Sequence, residues 1–385
     1  MKVLLLSAYN APSHHRWCNG LIRYFSHWEW CVLALPARYF SWRMRGNSLT
    51  WGFSDDERLR DQYDLVIATS MVDVSALKGF RPNLATCPWL VYFHENQFDY
   101  PDSQHQKGLL EIQLTSIYTA LATDKIAFNS PYNQTTFLRG AQALLNQMPD
   151  GVPTHVLDAI KEKSAVLPVP LEDTLWKPLS TELNTAEKSE GENRLAKNSD
   201  AVTVVWNHRW EYDKSPDRLL NFVNALAKCS DRPAVRFHII GQQFRKVPPV
   251  FDTLHQRLGE LGWLGRWGFI EDVHEYRSLL AHSDAVLSTA LHDFQGLSVL
   301  EACALGCSPL LPDRLAYPYF VGAEHLYPSF IETPQREAEE AVSVFLNRCL
   351  SGFRKKSESS ERMKAWSWAE LGQQYQCVIE SLVKG

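Results

Sequence analysis

The chain has 385 residues and a formal net charge of −5, and 45% of its residues are hydrophobic. This is the composition of a globular protein of about two domains, and the acidic balance excludes a general nucleic-acid binder, so an RNA partner would need a local basic patch. No apolar run approaches the roughly 20 residues that span a bilayer, which predicts no membrane association. The eight cysteines form no CxxC pair and indicate reduced thiols in a cytoplasmic protein.

Six apolar runs in the first half are predicted to be strands that alternate with helices. Their apolar residues are continuous rather than alternating, which is typical of a parallel sheet covered by helices on both faces. The runs are residues 2–9, 31–36, 64–70, 89–96, 125–130 and 164–170. We expect an α/β, Rossmann-like domain over residues 1–178.

The second half repeats this pattern after a polar segment. Residues 179–200 contain almost no large apolar side chain and are expected to form a linker. Further apolar runs predict a second Rossmann-like domain over residues 201–365; they are residues 202–208, 235–241, 284–289 and 308–313. The amphipathic segment 366–385 is expected to pack back on the first domain as a helix. Two such domains facing a cleft would bind ligands at the carboxyl ends of their strands.

The stretch NHRWEYDK, residues 207–214, places a lysine just before a predicted helix for which Ser215 is a good N-cap. A helix N-terminus already carries partial positive charge. Lys214 therefore has the wrong sign for its position unless an anion binds there, and Arg209 would supply a second cation. The alternative is a solvated pair of cations beside the neighbouring acids, which are Glu211 and Asp213.

The stretch LHDFQGLSVLEACALG, residues 291–306, follows a predicted strand and supplies a second helix N-terminus. Gly296 permits close backbone approach, and the amide groups at the start of the following helix can bind an anion. Glu301 lies in an otherwise apolar helix, where ribose hydroxyl groups would be suitable donors to its carboxylate. Together with the two cations, this predicts a diphosphate site. The chain has no Asp-x-Asp tripeptide, so we expect no metal and no cofactor at the site.

These stretches resemble the second domain of the retaining glycosyltransferases of family four, which have the GT-B fold. The family has an Arg and a Lys separated by four residues, and two acids separated by seven residues around a glycine. The matching residues are Arg209, Lys214, Asp293, Gly296 and Glu301, and Asp293 stands where the family usually has Glu. A glycine that ends a strand matches Gly241, and a Gly-Phe pair matches Gly268-Phe269.

A narrower resemblance covers most of the chain. Four stretches are similar to the tRNA-queuosine alpha-mannosyltransferases: YFHENQFDYP (92–101), LPARYFSWRMR (35–45), WNHRWEYDK (206–214) and AYPYF (316–320). The resemblance implies retaining transfer of mannose from GDP-mannose onto queuosine in the anticodon of tRNA-Asp, with no obligate protein partner. The loop of residues 10–17 departs from the family's usual Gly-Gly-Ser-His and keeps only Ser13-His14.

The resemblance also implies roles for individual residues. The catalytic set would be His94 and Glu95 in the first domain and Asp293 in the second. The donor would be bound by Arg209, Lys214, Gly268, Phe269, Ile270, Phe294, Gln295, Gly296, Leu297 and Glu301. The acceptor would be bound by Ser13, His14, Arg38, Trp42, Arg43, Arg45, Asn96 and Gln97.

Each assignment has a plainer alternative. The polar residues after the strand 89–96 could cap a turn, and Asp293 could cap a helix. Exposed arginines and aromatic rings in residues 36–46 would stack anticodon bases and pair with phosphates, but they could instead be a partly buried segment with outward arginines. The basic stretch FRKK (353–356) is a weaker RNA candidate.

Two other functions remain open from the sequence. The enzyme could use another nucleotide sugar and a lipid or glycan acceptor, or the chain could be a non-catalytic nucleotide-binding or RNA-binding protein. A dinucleotide dehydrogenase is disfavoured, because no GxGxxG follows the first predicted strand.

Overall fold

The chain forms two compact α/β units in a computed structural model. The structure describes residues 1–99, 109–153, 155–177, 201–351 and 356–384. The first unit contains Met1–Glu172 and the chain from Trp366 onwards, and the second begins at Asp173 and ends at Ala365. The predicted linker 179–200 and residues 353–355 of the FRKK stretch lie outside the described residues.

The first unit is built on a six-stranded parallel sheet. Its strands are β1 Lys2–Asn10, β2 Glu29–Pro36, β3 Leu65–Thr69, β4 Trp89–Phe93, β5 Lys125–Phe128 and β6 Ser164–Val166. Their order across the sheet is β2-β1-β3-β4-β5-β6. In the register of β3 and β4, Thr69 lies opposite Tyr92, so the ends of these two strands are adjacent.

The second unit repeats the arrangement. Its strands are β7 Val202–Asn207, β8 Val235–Ile240, β9 Leu264–Gly268, β10 Ala285–Leu287, β11 Ser308–Pro312 and β12 Leu326–Tyr327. They are parallel and lie in the order β12-β11-β10-β7-β8-β9. The predicted α/β class with two Rossmann-like sheets is therefore confirmed.

Helices connect the strands in both units. Those before the second sheet are α1 Pro12–Tyr24, α2 Phe40–Gly52, α3 Val74–Phe80, α4 Pro82–Ala85, α5 Leu109–Ala122, α6 Pro131–Leu145 and α7 Val156–Glu162. The later ones are α8 Pro216–Ala227, α9 Val250–Glu260, α10 Val273–His282, α11 Leu297–Ala304, α12 Tyr317–Phe320, α13 Pro334–Ser351, α14 Lys356–Met363 and α15 Trp368–Val383. None of the helices in the described ranges combines the length and hydrophobicity that crossing a bilayer requires.

The two strands that the sequence analysis did not predict are β9 and β12. The first reads LGRWG, with two glycines and an arginine in five residues, and most of it is only partly buried. The second is two residues long. Neither shows the continuous apolar run by which a buried parallel strand is recognised, because each is an edge strand covered less completely than its neighbours.

The last helix, α15, packs within the first unit. The Trp17 indole donates to the Tyr375 hydroxyl at 3.1 Å, and that hydroxyl donates to the Pro168 carbonyl at 3.0 Å. A side chain on Gly20 would overlap the Trp368 ring, because an added Cβ would lie 2.4 Å from it. A glycine in α1 thus permits close contact between α1 and α15.

Candidate functional site

Lys214 is buried at the carboxyl edge of the second sheet and is held by three oxygen groups. Its ammonium donates to the His292 carbonyl at 2.5 Å and lies 3.3 Å from Asp213 Oδ2 and 3.4 Å from Asp293 Oδ2. Ser215 stands at the N-cap of α8 as predicted, but it does not cap with its side chain and adopts a left-handed backbone with φ 51°. The cation is therefore fixed by its ion pairs.

Arg209 pairs with Asp213 as well, from the solvent side. Its guanidinium is 2.7 Å from Glu211 Oε2 and 3.7 Å from Asp213 Oδ2, and about half of its side chain is exposed. Burial raises the pKa of Glu211, although the positive charge of Arg209 opposes the shift. The two cations thus pair with Glu211 and Asp213, as in the alternative given in the sequence analysis. Of the two, only Arg209 is exposed to solvent. Lys214 is buried between two carboxylates, so its ion pairs are not solvent-exposed surface pairs.

Asp293 joins the lysine to the turn before α11. Its Oδ1 accepts from the Gly296 N–H at 2.7 Å, while its Oδ2 faces Lys214. Burial alone would raise the pKa of Asp293, but Lys214, two nearby imidazoles and the Gly296 amide outweigh burial and lower it. Asp293 therefore stabilises the turn before α11 and does not cap the helix, whose N-cap is Gly296 without a side-chain cap.

Gly296 fits the turn for two independent reasons. Its φ of +78° lies in the left-handed region, and an added Cβ would come within 2.7 Å of the Tyr317 ring. The Tyr317 hydroxyl hydrogen-bonds with Ser288 at 2.8 Å. A larger residue at position 296 would strain the backbone and displace a buried aromatic ring at the start of α11.

Two buried imidazoles lie beside the cations, and the sequence analysis did not select either. Burial and the charge of Lys214 lower the pKa of His208 to about 3 and that of His292 to about 4, so both are neutral near pH 7. Within the described residues, His208 Nε2 has no hydrogen-bond partner. His208 also lies in the quoted stretch NHRWEYDK, so the signal was a polar residue directly after a buried strand.

The end of β7 is tied to the first turn of α11. Asn207 Nδ2 donates to the Ser298 carbonyl at 2.7 Å and lies 3.2 Å from the Tyr276 hydroxyl. That hydroxyl lies 3.3 Å from Glu301 Oε2. The predicted ribose-binding acid is thus part of a polar group at the strand edge.

Gly241 and the predicted donor residues 268–270 lie at the ends of two neighbouring strands, β8 and β9. Gly241, after β8, donates its N–H to the Gly268 carbonyl at 3.3 Å. Phe269 is exposed and Ile270 is buried. A Cβ on Gly241 would lie 1.7 Å from the His208 carbonyl oxygen, so this glycine allows the turn after β7 to approach β8 closely. In the turn before α11, Phe294 and Gln295 are buried, and Leu297, the first residue of the helix, is half-buried.

In the first unit, His94 follows β4 and is buried in an aromatic cluster. Its ring stacks on the His14 ring with centroids 4.1 Å apart, and lies edge-on to Trp17 at 4.9 Å. Burial lowers the pKa of His94 well below its usual value, and the neighbouring His14 adds to the shift. Burial likewise lowers the pKa of His14. Two residues predicted for different roles are thus brought into direct contact.

The Asn96 side chain caps the turn after β4, as in the plainer alternative for this loop. Its side-chain amide donates to Asn133 Oδ1 at 2.8 Å and Thr136 Oγ1 at 2.9 Å in α6, and its carbonyl oxygen accepts from the Phe98 N–H at 2.9 Å. Glu95 is half-buried and Gln97 is buried. Asn96 therefore fixes the path of the loop after β4.

Residues 36–46, the predicted aromatic and basic segment, are mostly exposed, and two of their arginines are hydrogen-bonded to other parts of the first unit. Trp42 is 53% exposed, and Arg38 and Arg45 are also exposed. Arg43 donates to the Pro36 carbonyl at 3.3 Å and Arg45 hydrogen-bonds to Thr115. Ser13 is exposed at the start of α1, one residue before the buried His14. Phe40 packs partly buried against the core while Trp42 is exposed, so the segment combines features of both interpretations.

The described ranges hold no group of three or more His, Cys, Asp or Glu side chains that could bind a metal ion.

Comparison with known proteins identifies the family. A family model described as tRNA-queuosine alpha-mannosyltransferase N-terminal matches residues 2–171. A relative from Drosophila melanogaster, named tRNA-queuosine alpha-mannosyltransferase, is 31% identical over 328 residues, which cover 84% of this chain and 83% of the relative. This chain belongs to the tRNA-queuosine alpha-mannosyltransferase family. The resemblance inferred from the quoted stretches is confirmed, and the chain is a hexosyltransferase.

Solved structures share the fold of this tRNA-queuosine alpha-mannosyltransferase family member at low identity. Anabaena HepE in complex with UDP has a TM-score of 0.67 and 17% identity, covering 99% of this chain and 100% of HepE. Sucrose-phosphate synthase from Thermosynechococcus elongatus has a TM-score of 0.70 and 14% identity, covering 99% and 100%. The shared architecture is that of the GT-B glycosyltransferases.

Proposed function

We propose that this protein transfers mannose from GDP-mannose to queuosine in the anticodon of tRNA-Asp, with retention of configuration. Family membership supports the acceptor and the sugar. The single structural observation that carries the chemistry is the convergence of Lys214 and Arg209 on one carboxylate, Asp213, beside the turn into α11.

These cations suit a diphosphate leaving group. When the bond between the sugar and the phosphate breaks, negative charge grows on the phosphate oxygen. Lys214 is already positioned by Asp213 and Asp293, so little reorganisation is needed to stabilise that charge. Arg209 is half exposed and can exchange Glu211 for a phosphate oxygen. We propose that this charge is stabilised without a metal ion.

In our proposal the configuration at the sugar C1 is retained because the acceptor hydroxyl attacks C1 from the same face that the phosphate leaves. The bond from the sugar C1 to the phosphate oxygen breaks, a bond from C1 to the acceptor hydroxyl oxygen forms, and the acceptor proton moves to the departing phosphate oxygen. We assign sugar contacts to His94, Glu95 and Asp293. The Gly268–Ile270 segment would contact the guanine, Glu301 the ribose, and the turn Phe294–Leu297 the diphosphate.

The acceptor is assigned to the first unit. Trp42 and the exposed arginines Arg38 and Arg45 can stack on unpaired bases and pair with phosphates. Arg43 supports the segment from its bond to the Pro36 carbonyl. Ser13, His14 and Gln97 would contact the acceptor, and Asn96 would hold the loop that carries Gln97.

The test is transfer in vitro. The protein, GDP-mannose and queuosine-containing tRNA-Asp should give a nucleoside heavier by one hexose in mass spectrometry, and the sugar should be released by an α-mannosidase but not by a β-mannosidase. Transfer should persist in EDTA. Matched reactions use tRNA-Asp that lacks queuosine, and UDP-glucose in place of GDP-mannose. Absence of hexose on the tRNA, with sugar on a lipid extract, would overturn the acceptor assignment.

A further inference from the structure

The carboxyl edge of the first sheet holds several buried polar atoms without partners. Among the described residues, no hydrogen bond is made by the Thr69 and Ser70 hydroxyls, either ring nitrogen of His94, His14 Nδ1 or Gln97 Oε1. All of these side chains are at most 8% exposed. An unsatisfied buried polar group costs stability, so several at one place require an explanation.

Strand register brings the chain segments that carry these residues to one edge of the sheet. β1, β3 and β4 are adjacent, and Thr69 lies opposite Tyr92. The Ser70 N–H donates to the Tyr92 carbonyl at 2.9 Å, so Ser70 lies beside the chain that leads into His94. Tyr92, Trp17 and His94 share ring contacts of 4.2 to 4.9 Å.

The chemistry of the cluster is neutral. A neutral imidazole has one N–H donor and one acceptor nitrogen, and a hydroxyl group can both donate and accept. Burial lowers the pKa of both histidines, which keeps them uncharged. The cluster therefore offers donors and acceptors in mixed order, and the negative charge of the nearby Glu95 acts on His14. This combination complements sugar-like hydroxyl groups better than it does phosphate.

We propose that Thr69, Ser70 and Gln97, together with the stacked His14 and His94 rings, form a binding pocket for a vicinal diol of a substrate. This inference rests on the proposed function, in which two substrates carry such a diol. One is the mannose of the donor, and the other is the cyclopentene diol of queuosine. Thr69 and Ser70 belong to no motif in the sequence analysis, and they add specificity-determining contacts to the site.

The test separates a ligand-binding hydroxyl from a structural one. Thr69→Val and Ser70→Ala each remove a buried hydroxyl that has no partner, so the melting temperature should stay the same or rise. The matched control is Thr119→Val, because the Thr119 hydroxyl donates to the Val72 carbonyl at 2.9 Å in the same unit. The control should lower the melting temperature and leave the KM values unchanged.

The kinetic result identifies the diol. With each variant, kcat/KM should fall about fivefold to tenfold, as expected for the loss of one hydrogen bond to a substrate. A change confined to the KM for GDP-mannose assigns the pocket to the donor sugar, and a change confined to the KM for tRNA assigns it to the queuosine diol. The melting temperature of the wild type can also be measured with free mannose and with queuosine nucleoside. The compound that raises it identifies the diol that the pocket binds, independently of catalysis.

Two results would overturn the inference. One is kcat/KM within twofold of the wild type for both variants and both substrates. The other is a fall in melting temperature for Thr69→Val as large as that of the Thr119 control. Failure of the proposed function itself is different, because the wild-type protein would then add no hexose to tRNA.

Discussion

The carboxyl edges of the two sheets differ in charge and in how their polar groups are satisfied. At the second sheet, Lys214 and Arg209 are paired with acids, and the cations are held in place before a ligand arrives. At the first sheet, the Thr69 and Ser70 hydroxyls and the His94 ring nitrogens are neutral and buried, and they make no hydrogen bond within the described chain. The same strand-helix scheme therefore presents paired charges at one edge and neutral buried polar groups at the other. This difference is the basis on which we propose a diphosphate for the second unit and a diol for the first.

The largest effect should come from removing the fixed cation. Lys214→Met should lower kcat/KM by about 10²-fold to 10³-fold, since loss of one preorganised charge-stabilising group costs roughly 3–4 kcal/mol. It should also lower the free energy of unfolding by about 3 kcal/mol, because Asp213 and Asp293 would be left buried without their cation. Steady-state kinetics and urea melts measure the two losses.

The matched variants separate charge from fold. Lys214→Met combined with Asp293→Asn should recover part of the stability and none of the activity. Arg209→Ala removes a half-exposed cation and should reduce transfer strongly with a stability change under about 1 kcal/mol. Near-normal turnover with either cation removed would refute the diphosphate site.

The second prediction concerns pH and the neutral histidines. The pKa values of His208, His238 and His292 are lowered to about 3, 4 and 4, mainly by burial. The unfolded chain binds these protons near pH 6.5, whereas the folded chain resists them. The stability they contribute is therefore complete above about pH 6.5 and is lost progressively as the pH falls towards 4. Urea melts should show a slope of up to about 4 kcal/mol per pH unit from these three groups.

One substitution tests the slope. His238 Nδ1 accepts from the Arg266 N–H at 2.9 Å and must be unprotonated to do so. His238→Asn keeps an acceptor and cannot be protonated, so the slope should decrease by about 1.4 kcal/mol per pH unit. An unchanged slope would show that this imidazole does not resist protonation in the folded protein.

The third prediction tests the turn at the second sheet. Gly296→Ala places a Cβ in a left-handed residue and against the Tyr317 ring, and should cost about 2–3 kcal/mol of stability and weaken GDP binding. Gly259→Ala is the control, because this helical glycine has open space around it and should gain about 0.5–1 kcal/mol. Equal melting temperatures for the two variants would contradict the strain argument.

The smallest expected effect is on RNA affinity at the first unit. Trp42→Ala removes an exposed ring next to arginines and should raise the KM for tRNA about tenfold, within the range for loss of one base stack, while the KM for GDP-mannose stays constant. Phe53→Ala removes another exposed ring just after α2 and should change neither value. A similar effect of both variants would remove the stacking role of Trp42.

The α/β class with parallel sheets and the family could be predicted from the sequence, which also selected Lys214 and Asp293, two residues that lie 3.4 Å apart in the structure. Continuous apolar runs identify buried parallel strands, and the charges of Lys214 and Asp293 are readable because their spacing follows the strand-helix connections. The edge strand β9 was missed because its five residues contain two glycines and an arginine.

Only the tertiary structure decided which polar residues are satisfied. Asn96 and Gln97 are neighbours after the same strand, yet the amide of Asn96 is bonded to α6, whereas Gln97 Oε1 has no partner in the described chain. Thr69 and Ser70 read as ordinary strand-end residues until the register sets them beside Tyr92 and the residues leading into His94. Hydrogen-bond satisfaction depends on contacts between residues far apart in the chain, which local patterns of apolar and polar residues do not encode.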